Sequence, residues 1–259
     1  MKAVPARPLA ALVLGSTALL FCALAVGGAQ ADMMLTQISQ TDAHQIRGQS
    51  VPASTDTVTT WISGDNARMD MGAKGSILYL GDQQMVYIID HQKRTYSELP
   101  LDAEGSFGDL MPEDMSAEEA AQMEQMMSSM MGSIKLTVTP TDQTKQIRDW
   151  NARRYDVEMT MPMGSLQSVT WASDEIPVDP HILAALSSAA SAWLPGANER
   201  LEEMEKIEGY PVYSKSTTTM MGTPVVRTEE LVAVAEKPAP QGTFSPPTGY
   251  EKTDLMPGR

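Results

Sequence analysis

The chain has 259 residues, with 33 acidic side chains against 19 basic ones and a formal charge of −14. An excess of acid on that scale, with no basic cluster, excludes nucleic acid and anionic lipid surfaces as natural partners. A single cysteine excludes an internal disulfide framework and cysteine-rich metal sites.

Lys2 and Arg7 precede an apolar run from Leu9 to Val26, and Ala29-Gln30-Ala31 closes the segment with a small-x-small pattern. This predicts a secretory signal peptide over residues 1–31, cleaved after Ala31, and a periplasmic mature protein beginning at Asp32. Bulky Phe21 before Cys22 does not suit lipoprotein processing, so the cysteine is expected to leave with the leader. Loss of Lys2 and Arg7 takes the formal charge from −14 to −16 and leaves 228 residues without a thiol. No apolar run in that remainder is long enough to cross a bilayer.

Period-two alternation dominates the chain beyond Ala31. In "NARMDM" Ala67, Met69 and Met71 alternate with Arg68 and Asp70, and in "IKLTV" Ile134, Leu136 and Val138 alternate with Lys135 and Thr137. The clearest case sets Tyr155, Val157, Met159 and Met161 against Arg154, Asp156, Glu158 and Thr160. Strands with one dry and one wet face read this way, and antiparallel sheets supply such faces. Further strands are expected at 33–39, 56–63, 76–80, 84–90, 94–99, 166–173, 212–220 and 224–236, with hairpin-like turns between the early ones. About ten strands on short turns predict a mainly β fold, a curved antiparallel sheet or open half-barrel.

Three helices are expected to cover it. Ser116 and Glu119 have capping-box spacing, and Met123, Met126, Met127, Met130 and Met131 then share one helical face before Gly132. Asp179 and Pro180 open a second helix, carrying Ile182, Leu183, Leu186, Ala190, Trp193 and Leu194 on its apolar side and ending at Pro195-Gly196. "NERLEEMEKIEG" makes a third, with Leu201, Met204 and Ile207 on one side. The Pro- and Gly-rich residues 236–250 read as an extended closing segment. The expected organisation is one β domain over 32–251, a Met-rich helical insertion at about 115–132 and a loose tail at 252–259.

Enzyme signatures are missing: there is no G-x-S-x-G elbow, phosphate loop, dinucleotide fingerprint or HExxH. His44, His91 and His181 have no metal-ligand spacing, with His44 expected in a loop and His91 in a turn. The methionine stripe admits three readings: plain core packing, an adaptable surface for a greasy ligand, or a soft site for Cu(I).

"WISGDNARMDM", "SILYLGDQQMVYIIDHQKRTYSELP", "WASDEIPVD", "GYPVYSKSTTTMMG" and "FSPPTGY" together resemble the DUF4412 family of exported bacterial proteins, similar in fold to the LolA/LolB lipoprotein-carrier superfamily. The resemblance spans most of 32–251 and implies a half-barrel whose concave face is covered by helices, with acyl chains held between the two. It transfers no catalytic residue and no cofactor. The expected function is non-enzymatic binding of a hydrophobic small molecule or lipid between sheet and helix. The expected contacts are Trp61, Met69, Met71, Met85 and Tyr87 from the sheet and Met123, Met126, Met127 and Met130 from the helix. Copper binding through the methionines, or an envelope scaffold binding another protein, are the alternatives.

Overall fold

The computed structural model describes residues 32–46, 48–101, 116, 118, 122, 125, 134–162, 164–188, 197–220 and 222–253. The leader, the methionine stripe and residues 254–259 lie outside the described residues. Fourteen strands are described: β1 (Met33–Thr41), β2 (His44–Ile46), β3 (Gln49–Val51), β4 (Ser54–Ser63), β5 (Asn66–Asp70), β6 (Gly75–Leu80), β7 (Met85–Asp90), β8 (Thr95–Pro100), β9 (Lys135–Ile147), β10 (Trp150–Met161), β11 (Gly164–Ser173), β12 (Tyr210–Met220), β13 (Thr223–Glu236) and β14 (Glu251–Lys252). Twelve of them form one curved, open sheet in the order β14-β8-β7-β6-β5-β4-β1-β13-β12-β11-β10-β9.

Two meanders meet at the first strand. β4 to β8 step outward on one side, β9 to β13 step inward on the other, and β1 pairs antiparallel with both β4 and β13. Leu35, in the middle of β1, is fully buried between Thr60 of β4 and Val234 of β13. From β13 the chain crosses back as a strap, residues 237–250, to the far edge, where β14 lies parallel to β8. All other pairings in this sheet are antiparallel, as the alternation predicted. The parallel partners are far apart in the chain, with β9 to β13 and the strap between them, so no tight turn has to join them.

Two local expectations are corrected, and one strand runs further than its alternation marks. His44 lies in β2, not a loop, and β2 pairs with β3 as a small separate hairpin turned at Gly48. The polar stretch after Val138 continues as strand to Ile147, because β10 supplies partners as far as Trp150↔Ile147. A shift in this ladder at Arg153/Tyr155 is stitched by Arg153 Nε donating to the Thr141 carbonyl (2.8 Å) and Thr141 Oγ1 donating to the Arg154 carbonyl (3.0 Å). Lys252 is not loose: it belongs to β14, its Nζ reaches Glu98 Oε2 at 2.6 Å, and the Thr253 N–H donates to the Tyr96 carbonyl at 2.8 Å.

Two helices lie on one face of the sheet. α1 (Pro180–Ser188) starts where Asp179 Oδ1 accepts from the His181 N–H at 2.8 Å, the expected cap. Its Ile182, Ala185 and Leu186 are buried with Ile62, Ala67, Tyr79, Val86 and Leu99. α2 (Ala197–Met204) docks on edge strand β9, where Glu203 Oε2 accepts the Val138 N–H at 2.9 Å. Ile207 then packs on Leu136, Val138, Tyr155 and Val157. Gly209 enters β12 at φ 87°, its backbone so close to Ser173 that a Cβ would overlap it.

Asp32 ties the two ends of the sheet's spine together. Its carbonyl accepts from the Lys237 N–H (2.9 Å) and its Oδ2 from the Ala239 N–H (2.6 Å). The Ala239 bond, and next the Ser63 side chain, hold this carboxyl below its usual 3.8. A depressed folded value means the stabilisation is present above 3.8 and is lost as pH falls through the lower folded value. Asp32→Asn is therefore expected to lower the urea midpoint at neutral pH, with the gap to wild type narrowing as pH is taken below 3.8. A gap independent of pH would contradict this anchoring role.

Candidate functional site

Cross-strand partners share a face, so the register of β4 to β8 sorts every side chain there. On the helix side, Ile62, Ala67, Tyr79, Val86 and Leu99 are successive partners across five strands and lie under α1. Beside them runs a second row on the same face: Val234, Leu35, Thr60, Met69, Ile77, Ile88 and Ser97. The first row is sealed, whereas Val234, Met69, Ile77 and Ile88 of the second keep partial exposure. The result is an apolar strip alongside α1, running from β13 to β7.

One polar atom interrupts it. Thr60 is 2 % exposed, and its Oγ1 has no hydrogen-bond partner among the described residues. Other buried hydroxyls are served: Ser39 accepts from Arg227 Nε (2.9 Å), Ser76 is bonded on several sides, Ser97 meets Thr253 (3.4 Å), Thr170 meets Ser168 (3.4 Å) and Ser173 accepts from the Glu175 N–H (3.3 Å).

The opposite, strap side of the same strands is built differently. Leu78, Leu80, Tyr87 and Ile89 form a buried cluster closed by Met85, Tyr96, and by Phe244 and Tyr250 of the strap. Burial, and next the Glu98 carboxylate, raise the Tyr87 phenol above its ordinary value. At the centre stands a polar network. Arg68 Nε pairs with Asp70 Oδ1 at 2.8 Å, Ser76 Oγ lies 2.5 Å from the same carboxylate oxygen, Arg68 Nη2 lies 3.2 Å from Ser76 Oγ, and His91 Nε2 lies 2.6 Å from it. His91 Nδ1 meets the Tyr250 hydroxyl at 3.0 Å, and Arg68 Nη1 reaches the Thr243 carbonyl at 3.4 Å.

Donor counting fixes the protons. A carboxylate only accepts and a guanidinium only donates, so the one Ser76 proton goes to Asp70 while Ser76 accepts from Arg68. His91 must then carry a proton on Nε2 to bond Ser76, and in the neutral imidazole its Nδ1 accepts from Tyr250. A serine nucleophile needs the reverse, its proton directed at the imidazole. Ser76 is also 1 % exposed. This Ser–His pair is a cross-link joining β5, β6, the turn after β7 and the strap.

The sheet residues expected to meet a ligand do not share a surface. Met69 is on the helix-side strip, opposite Thr60. Trp61 and Tyr87 belong to one strap-side row, Met34, Trp61, Arg68, Leu78, Tyr87 and Glu98, and Met85 pairs with Leu80 on that same face. Lys237 stands over the Trp61 ring at 5.2 Å. Met71 follows β5, its N–H closing the turn onto the Gly75 carbonyl at 2.9 Å. Met123, Met126, Met127 and Met130 lie outside the described residues. The strip residues that sequence reasoning passed over are Leu35, Thr60, Ile77, Ile88 and Val234; counting in twos from buried Val58 and Ile62 would have placed Thr60 among them. Among the described residues no group of three or more His, Cys, Asp or Glu could hold a metal, and no helix is long and apolar enough to cross a membrane.

No protein-family model and no curated protein sequence matches the chain. Three solved structures are similar at the level of backbone. One is PNGF-II, at 9 % identity and a TM-score of 0.37 over 85 % of this chain; the chain spans only 31 % of the length of that structure. A DUF1329 family protein from Desulfovibrio piger is 7 % identical, with a TM-score of 0.29, covering 84 % of this chain and 91 % of that one. A domain from Vibrio parahaemolyticus, provisionally described as an outer membrane lipoprotein-sorting protein, is 8 % identical with a TM-score of 0.21, covering 84 % and 90 %.

The two faces predict opposite responses to losing a hydroxyl. Ser76→Ala strands Asp70, Arg68 and His91 and is expected to lower stability by about 1–3 kcal/mol. Thr60→Val removes an unpaired buried hydroxyl at nearly constant volume and is expected to raise stability by about 1 kcal/mol. Urea denaturation of both variants checks the pair; a destabilised Thr60→Val would mean that its hydroxyl is bonded.

Proposed function

We propose that this is an exported, periplasmic, non-enzymatic binding protein of the LolA-like type, which holds a long hydrocarbon chain against the helix-side face of β4 to β7. One observation carries the reading: the strip Val234, Leu35, Met69, Ile77 and Ile88 runs from β13 to β7, yet four of its five apolar members keep partial exposure beside α1. A filled core leaves no such margin, whereas hydrophobic ligand sites are largely apolar and lie where covering elements stop short. The leader-like residues 1–31 and the motif resemblance to the DUF4412 family support the export and carrier parts of the reading.

Native mass spectrometry of protein purified gently from the cell envelope is expected to show a lipid-sized adduct, and the delipidated protein to take up phenylnaphthylamine with saturable fluorescence. Ile88→Gln, at the partly exposed end of the strip, is expected to weaken that uptake about tenfold with a smaller effect on the denaturation midpoint. An unliganded mass together with no fluorescence gain would overturn the reading.

A further inference from the structure

Resting on that reading, we infer that Thr60 is the polar anchor of the strip and that the ligand it selects is a neutral long-chain acyl ester rather than a plain hydrocarbon or an ionised fatty acid. The hydroxyl stands within the part of the row that is otherwise apolar, from Val234 to Ile88, between Leu35 and Met69, with Val58 and Ile62 before and after it on the same face of β4. It is the described buried side chain whose hydrogen-bonding group is left without a partner, in a protein whose other buried hydroxyls are paired. Valine would fill the same volume without that cost, so the hydroxyl is accounted for by a partner that arrives from outside.

The surroundings set the chemistry of that partner. Thr60 offers a proton, so the ligand must present an acceptor flanked by hydrocarbon that can lie on Leu35, Met69, Ile77 and Ile88. An ester carbonyl does so. An ionised carboxylate would find no counter-charge beside Thr60: the two helix-side rows of β4 to β8 hold no Lys or Arg, and Arg227, which reaches this face at Ser39, is already paired with Glu229. At 2 % exposure the hydroxyl is closed off, and its approach lies past Met69, the partly exposed cross-strand partner, whose unbranched side chain can swing aside.

The test is displacement of phenylnaphthylamine from the delipidated full chain by methyl laurate and by tetradecane, a pair matched in length that differs only in the ester. Wild type is expected to bind methyl laurate about two- to tenfold more tightly than tetradecane, the range of one neutral hydrogen bond. Thr60→Val is expected to abolish that preference while keeping tetradecane affinity, and Thr60→Ser, which keeps the hydroxyl, to retain it. Equal preference in wild type and Thr60→Val would overturn the anchor and leave the hydrophobic site standing. Failure of wild type to bind the dye or either competitor would overturn both.

Discussion

The pairing of β1 with both β4 and β13 is the contact on which everything else in this fold depends. Each meander is assembled from sequence neighbours, but the two become one sheet only through a strand from the start of the chain. The β1–β13 ladder joins residues about two hundred positions apart, a loop closure whose entropy must be met before any non-local contact repays it. Leu35, fully buried, and Asp32, which holds the first residues of the strap, sit at this junction. The helix-side row runs through it: without β1 there is no continuous surface between Val234 and Met69.

That junction also explains why the two faces of β4 to β8 can be so unlike. Asp32 holds the strap's first residues beside β1, and at the far edge the strap closes the apolar cluster and the Arg68–Asp70–Ser76–His91–Tyr250 network. A part-buried network of directional bonds favours one arrangement and resists deformation. The helix side has no comparable polar cross-link among the described residues of its two rows. Its cohesion is apolar contact, which tolerates sliding and exchange better than directional bonds do.

Alternation made the strands legible because most of them are wet on one face, as "RYDVEMTM" is in β10. It gives no inside-outside contrast where a strand is dry on both. In β6, Leu78 and Leu80 face the strap while Tyr79 faces α1, and five of its six residues are buried, so period two disappears. The same loss of contrast explains the expected contacts: Trp61, Met85 and Tyr87 are large and apolar but belong to the strap side, covered by a Pro-rich segment with no periodic signal of its own. Thr60 was hidden for a different reason. In "TVTTWIS" it is one threonine among several, and only the register shows that its row is otherwise apolar. The strand continuing past Val138 and the short β14 were illegible because their partners, not their own side chains, decide their state.

The unequal construction of the two faces sets the direction in which this protein can open. α1 and α2, over their described residues, rest on the sheet in different ways. α2 is held to β9 by the Glu203 bond to the Val138 N–H and by Ile207, and Tyr155 Oη accepts from the Glu208 N–H at 3.2 Å just beyond it. Among its described side chains, Ile182, Ala185 and Leu186 of α1 lie in the same apolar cluster as the sealed row beside the strip. Parting α1 from the sheet exchanges one apolar contact for another if a hydrocarbon chain takes its place. Parting the strap would instead expose an ion pair and a histidine to be resolvated, and would strip the edge from β8. On the reading proposed above, the helix side is therefore the cheaper side to part, and it is the side on which the unpaired hydroxyl of Thr60 lies.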